Sequence, residues 1–98
     1  MIVIEGTVRV PPERIEAARP AMEKMIRASR AEAGCIDYAY SFDLLEPGLV
    51  RVTERWESRE ALAAHFRTPH MAEWRAQFPA FGITDRSLRL YEAIAEDI

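Results

Sequence analysis

Residues 35–45, CIDYAYSFDLL, alternate strictly: Ile36, Tyr38, Tyr40, Phe42 and Leu44 fall on one face, and Asp37, Ala39, Ser41 and Asp43 on the other. Glu46-Pro47-Gly48 is a turn signal, and LVRVTERWE at 49–57 alternates again, so the middle of the chain reads as a β-hairpin. A hairpin alone is barely stable in water, which obliges the flanking sequence to supply further strands and a covering layer.

It supplies both. IVIEGTVRV at 2–10 is a half-buried strand, with Ile2, Ile4, Val8 and Val10 on one face and Glu5, Thr7 and Arg9 on the other. Pro11 and Pro12 end it. From Glu13 onward Ile15, Ala18, Met22, Met25, Ile26 and Ser29 recur at the three-and-four spacing of an amphipathic helix, which Gly34 closes as a C-terminal cap. Pro20 falls inside that helix and predicts a kink. After the hairpin, Ser58 is an N-cap for a short helix carrying Ala61, Leu62, His65 and Phe66. Thr68-Pro69 starts a second helical piece with Met71, Trp74 and Phe78 on one stripe. Within 84–94, Leu88, Leu90 and Ile94 alternate with Arg89 and Tyr91 as a fourth strand.

The order β-α-β-β-α-β predicts a ferredoxin-like α+β fold: a four-stranded antiparallel sheet with helices on one face. A chain of 98 residues makes this a single domain, 1–98. The sheet face away from the helices carries Glu5, Thr7, Asp37, Ser41, Arg51, Thr53, Arg55, Arg89 and Tyr91. That face is too polar to demand a partner by apolar burial alone, so the residues themselves leave dimerisation open.

Composition removes several classes of function. A net charge of −3 and scattered Lys and Arg provide no basic stripe for nucleic acid. No apolar stretch approaches the roughly 18 residues that span a bilayer, so no membrane role is expected. The single Cys35 excludes an internal disulfide and a thiolate metal cluster, and the chain opens on an alternating strand in place of a leader, so a cytoplasmic protein is expected. Glycine-rich phosphate loops and a Gly-x-Ser-x-Gly turn are missing, which leaves nucleotides, flavins and serine hydrolysis without a signature.

Two polar residues sit where apolar ones are expected. Strand parity places Glu54 with Val50, Val52 and Trp56 on the helix-covered face. A carboxylate there is either a base or orienting group with a raised pKa, or it reaches solvent at the sheet's end or pairs with an Arg. His65 borders the inward stripe of its helix beside Leu62 and Phe66; it either lines a pocket as a base or hydrogen-bond donor, or is a core histidine satisfied by a backbone carbonyl. His70 reads as a helix-start residue. The two histidines are five apart with Pro69 between them, a spacing that predicts no metal site. Tyr38, Tyr40, Phe42, Trp56, Phe66, Met22, Met25, Met71, Trp74 and Phe78 form an aromatic and thioether lining. Most of it is core, and a minority would line an apolar cavity suited to a flat, partly hydroxylated aromatic ligand.

The order of elements, together with Glu54, Trp56, Ser58, Ala61, Leu62 and His65 in the pattern E-x-W-x-S-x-x-A-L-x-x-H, then Pro69-His70, Gly34-Cys35 and Pro47-Gly48, resembles the antibiotic biosynthesis monooxygenase (ABM) family over nearly the whole chain. The resemblance implies a homodimer whose two sheets face each other as an α+β barrel, pairing the polar faces, with a pocket between helices and sheet in each subunit. It implies oxygenation of anthrone-type or quinol substrates by O₂ without flavin, metal or other prosthetic group. The haem-degrading branch uses an Asn on the first strand, a helical Trp and a haem-ligating His. Here the first strand has no Asn, His65 stands where that Trp would be, and Arg75 falls near the place of the histidine, which disfavours haem degradation.

The expectation is therefore a cofactor-independent monooxygenase oxidising a small quinol or polycyclic phenol. His65 would be the base or oxygen-directed donor, Glu54 would orient it, and Trp56, Tyr38, Tyr40, Phe66, Met22, Met71 and Trp74 would shape the substrate site. The alternatives are a non-catalytic module that binds or scavenges an aromatic metabolite, and a structural dimer with a filled core.

Overall fold

A computed structural model describes every residue from Met1 to Ile98. The elements run β1 (Ile2–Arg9), a 3₁₀ turn (Pro12–Arg14), α1 (Ile15–Arg30), β2 (Cys35–Phe42), β3 (Leu49–Trp56), α2 (Arg59–Phe66), α3 (Pro69–Ala76), α4 (Phe78–Phe81) and β4 (Thr84–Glu92). The four strands form one antiparallel sheet in the order β2-β3-β1-β4, the ferredoxin-like arrangement.

Parity is obeyed where strands pair on both sides. Ile2, Ile4 and Val8 of β1 and Val50, Val52 and Trp56 of β3 are buried, packed under Met22 and Met25 of α1, Leu62 of α2, and Met71 and Trp74 of α3. Gly6 is where β4 closes on β1: a Cβ there would lie 1.9 Å from the Ser87 carbonyl oxygen, so any side chain would push the strands apart.

Several boundaries differ from the periodic expectation, each for a local reason. A register shift between Cys35 and Asp37 turns Ile36 to solvent. β2 stops at Phe42 because the Asp43 carboxylate accepts hydrogen bonds from the backbone N–H groups of Leu45 and Glu46, drawing the chain out of the ladder and exposing Leu44 and Leu45. β4 ends at Glu92; beyond it Ala93 exchanges two hydrogen bonds with Met1, its N–H donating to the Met1 carbonyl and its carbonyl accepting from the Met1 amino group, and Ile94 is exposed. α1 runs unbroken through Pro20. Pro20 and Glu16, whose carbonyl loses its donor there, are both exposed, so water can replace the bond. α1 ends at Arg30, with Ala31 as its C-cap in place of Gly34.

The helix layer is uneven. α1 packs on β2 and α2 on β3, whereas β4 has no fully buried residue. Leu88 is half-buried and Leu90 exposed, so the inward-facing side of β4 is left largely open. No helix is long and apolar enough to cross a membrane.

Candidate functional site

The turn that follows α1 builds the first part of the site. Glu32 N–H donates to the Ser29 carbonyl and Cys35 N–H to the Glu32 carbonyl, fixing Glu32 between the helix and β2. Gly34 adopts φ +81°, and a Cβ there would stand 2.5 Å from the Ala61 Cβ. Its carbonyl also accepts from Glu57 N–H at 2.8 Å, so the turn is seated directly on the junction between β3 and α2. Glu32 thereby reaches α2.

The second part comes from the break between α2 and α3. Ser58 caps α2 by accepting from Ala61 N–H at 3.1 Å, and the Thr68 hydroxyl caps α3 at Met71 while donating to the His65 carbonyl at 2.8 Å. Five residues along one continuous helix would turn His70 roughly 140° away from His65. The bend at Thr68-Pro69 instead brings their rings to 6.2 Å. Both then meet Glu32: its Oε2 lies 2.6 Å from His65 Nδ1 and 2.9 Å from His70 Nε2.

Because a carboxylate only accepts, the short contact places the His65 hydrogen on Nδ1 and leaves a lone pair on Nε2. That Nε2 is the single buried side-chain nitrogen or oxygen without a partner. Burial pushes the His65 pKa down, and this outweighs the opposing pull of Glu32, so the ring is neutral near pH 7 and its contact with Glu32 is a hydrogen bond more than an ion pair.

His65 lines a cavity of about 30 Å³ between the helices and the sheet, together with Tyr38, Tyr40 and Glu54 from the sheet and Phe66, Met71 and Trp74 from α2 and α3. Val8, Val52, Phe78 and Leu88 complete the apolar wall, and Arg75 and Arg86 contribute cations. Such a volume holds a water or so. Burial raises the pKa of Glu54 and of both tyrosines, Tyr38 furthest, so both phenols stay protonated at neutral pH. Trp74 Nε1 donates to the Tyr40 hydroxyl at 3.3 Å.

The expected site residues divide. His65, Glu54, Tyr38, Tyr40, Phe66, Met71 and Trp74 share the cavity, although Phe66 is also 41% exposed. Trp56 and Met22 do not line it. Trp56 is wholly buried behind the site, its ring 4.7 Å from that of His65, and Met22 faces a separate groove with Arg19, Tyr40 and Phe42. Glu54 does not meet His65 as expected: it accepts from Trp56 Nε1 at 3.0 Å, and the carboxylate in contact with His65 is that of Glu32. Glu32 and His70 escaped the sequence reading, Glu32 because a turn has no periodicity and His70 because a helix start is commonplace.

The carboxylate and histidines supply one ligand atom each, all within 4.8 Å of one another. Their contacts of 2.6 and 2.9 Å converge on a single oxygen. A tetrahedral ion bonded at about 2.1 Å to each donor would hold them about 3.4 Å apart, so the spacing is that of hydrogen bonds.

Fold and site together define an α+β sandwich of the ferredoxin type with a buried imidazole and carboxylate beneath its sheet. The family model described as antibiotic biosynthesis monooxygenase matches residues 1–77. This chain belongs to the antibiotic biosynthesis monooxygenase family. It is 33% identical over 95 residues to the uncharacterised protein sll1783 of Synechocystis sp., covering 97% of this chain. It is 36% identical over 66 residues, 67% of this chain, to the protein named Putative monooxygenase Rv0793 of Mycobacterium tuberculosis. The chain spans 64% of the length of each of these two relatives. A crystal structure of a Putative antibiotic biosynthesis monooxygenase from Deinococcus radiodurans superposes with a TM-score of 0.91 at 29% identity, covering 100% of this chain and 98% of the other.

Proposed function

We propose that this chain is a cofactor-independent monooxygenase of small quinols, with His65 as the base and Glu32 holding it in the reactive tautomer. The observation that carries the reading is the unpartnered Nε2 of a buried, neutral histidine whose other nitrogen is bound to a carboxylate. Such a nitrogen is unprotonated at neutral pH and free to accept a phenolic proton. The quinolate is its own reductant: it donates an electron to O₂, the radical pair couples at a ring carbon, and the resulting hydroperoxide loses water. The balance is C₆H₆O₂ + O₂ → C₆H₄O₃ + H₂O, with all four electrons drawn from the substrate and O₂ as the only co-reactant.

Cavity size favours a one-ring quinol over a polycyclic phenol. The cavity shares Phe66, Arg86 and Leu88 with an adjoining groove of about 210 Å³ under the open side of β4. Displacement of the half-exposed Phe66 ring would join the two spaces, and a single ring needs the smaller opening. Arg86 and Arg75 line the cavity, and their charge supports the reading by favouring a quinolate over a neutral quinol. A homodimer burying the polar sheet face would also cover β4, and light scattering of the purified protein would give twice the chain mass.

Metal-stripped protein supplied with one-ring quinols should consume O₂ and release hydroxyquinone in equal amounts. Saturable quenching of Trp fluorescence by the quinol with no O₂ uptake would instead make the chain a binding module for aromatic metabolites. Release of hydrogen peroxide and unhydroxylated quinone would make it an oxidase.

A further inference from the structure

Between taking a proton from the quinol and returning one for the loss of water, a base buried beneath a sheet exchanges protons with solvent only along a built route, and the cavity around His65 Nε2 has room for little water. The opposite side of the ring offers the way out. From His65 to Glu32 to His70 the side-chain exposure rises from 1% to 13% to 20%, along contacts of 2.6 and 2.9 Å. Beyond Glu32, His70 lines a separate surface pocket between α1 and α3, walled by Lys24, Glu73 and Gln77.

We propose that Glu32 and His70 are a proton path connecting the buried cavity to solvent. The path rests on the reading of His65 as base. The substrate proton arrives at His65 Nε2, and the Nδ1 proton passes to Glu32 Oε2. At rest His70 Nε2–H donates to the carboxylate; once solvent has exchanged that hydrogen for one on Nδ1, Nε2 accepts the proton from Glu32 and Nδ1 releases its own to water. A proton returning along the same contacts, from His70 through Glu32 to His65 Nδ1, lets Nε2 give its proton to the departing hydroxide, so that His65 is restored and no net proton is released; solvent exchange between the two ring nitrogens resets His70. Only N–H and O–H bonds change, so no oxidant or reductant is required. Neither Glu32 nor His70 lines the cavity, and both act through His65.

The test compares the wild type with His70→Gln and His70→Ala in weakly buffered quinol assays, with and without imidazole. Glutamine keeps a donor toward Glu32 and passes no proton; alanine leaves a gap that imidazole can enter. Both variants should lose about tenfold or more in kcat at unchanged KM, and imidazole should restore His70→Ala alone. Undiminished kcat in His70→Gln, or a loss in His70→Ala that imidazole leaves unchanged, overturns the path. A readout independent of turnover is the solvent exchange of the His65 Nδ1 hydrogen, followed by NMR of histidine labelled with nitrogen-15. It should slow about tenfold in His70→Gln, and equal rates in the two proteins overturn the path. If the wild type turns over no quinol, the assignment of His65 as base fails and this exchange rate alone decides whether the link conducts. Binding of one Co²⁺ by the wild type and none by His70→Ala would assign the three atoms to an ion and likewise overturn the proposal.

Discussion

Trp56 Nε1 donates a hydrogen bond of 3.0 Å to Glu54 Oε1, two residues earlier on the same face of β3 and beneath the helices. The pair explains how a carboxyl group survives in the core: its neighbour supplies a donor, and burial raises its pKa further than that bond lowers it. Trp56 is thus core and hydrogen-bond donor together, not a wall of the cavity.

Trp56→Ala should cost about 3–5 kcal/mol in urea unfolding, the usual range for deleting a buried aromatic. Trp56→Phe keeps most of the packing and leaves Glu54 without its donor, for a loss of about 1–3 kcal/mol. A loss below about 1 kcal/mol for the alanine variant would show that the ring contributes little packing.

Glu54→Gln retains an oxygen to accept from Trp56 and removes the charge. A raised native pKa means that the folded state holds the proton more tightly than the unfolded one, so wild-type stability falls as pH rises from the ordinary glutamate range through the native pKa. The glutamine variant should lack that fall and gain on the wild type with rising pH. Parallel stability curves from acid to neutral pH would contradict the raised pKa.

His65 has the opposite sign. Its native pKa lies below the ordinary histidine value of 6.5, so the unfolded chain binds the proton first as pH drops. Stability should decline as pH falls below that value toward the native pKa, and His65→Gln should flatten this part of the curve. The acid limb of quinol turnover should also lie below pH 6.5, since Nε2 stays free to accept. A limb above that pH would remove His65 from the role of base. His65→Ala should lower turnover by about 10²–10⁴ while circular dichroism reports a folded chain.

Gly34→Ala should disturb the site without touching it. Alanine at a left-handed backbone costs about 1–2 kcal/mol, and its Cβ would meet that of Ala61 at 2.5 Å, adding about 1–3 kcal/mol of overpacking. If the turn moves to relieve the contact, Glu32 leaves His65, and the NMR tautomer signature of the His65 ring should change. An unaltered signature with wild-type stability would show that the turn does not position Glu32.

Much of this architecture could be read from neighbouring residues. Ile2, Ile4 and Val8, like Val50, Val52 and Trp56, face inward because a strand alternates regardless of what packs on it, and α1 buries Ala18, Met22, Met25 and Ser29 through helical spacing. The same rule marked Glu54 and His65 as polar groups in apolar company, which was correct for burial and silent on partners. It failed at the ends of β2 and β4, where an Asp43 turn and the end of β1 override alternation.

The partners were set by packing. His65 has two carboxyl groups in its neighbourhood, and nothing local says which one holds it: Glu54 belongs to the adjoining strand, whereas Glu32 lies 33 residues away in a turn without periodicity. Seating that turn on α2 through Gly34, and bending the chain at Pro69, placed one carboxylate oxygen against two histidines that their spacing had kept apart. Periodicity records which side of an element a residue occupies, and only the docking of one element on another records what it meets there.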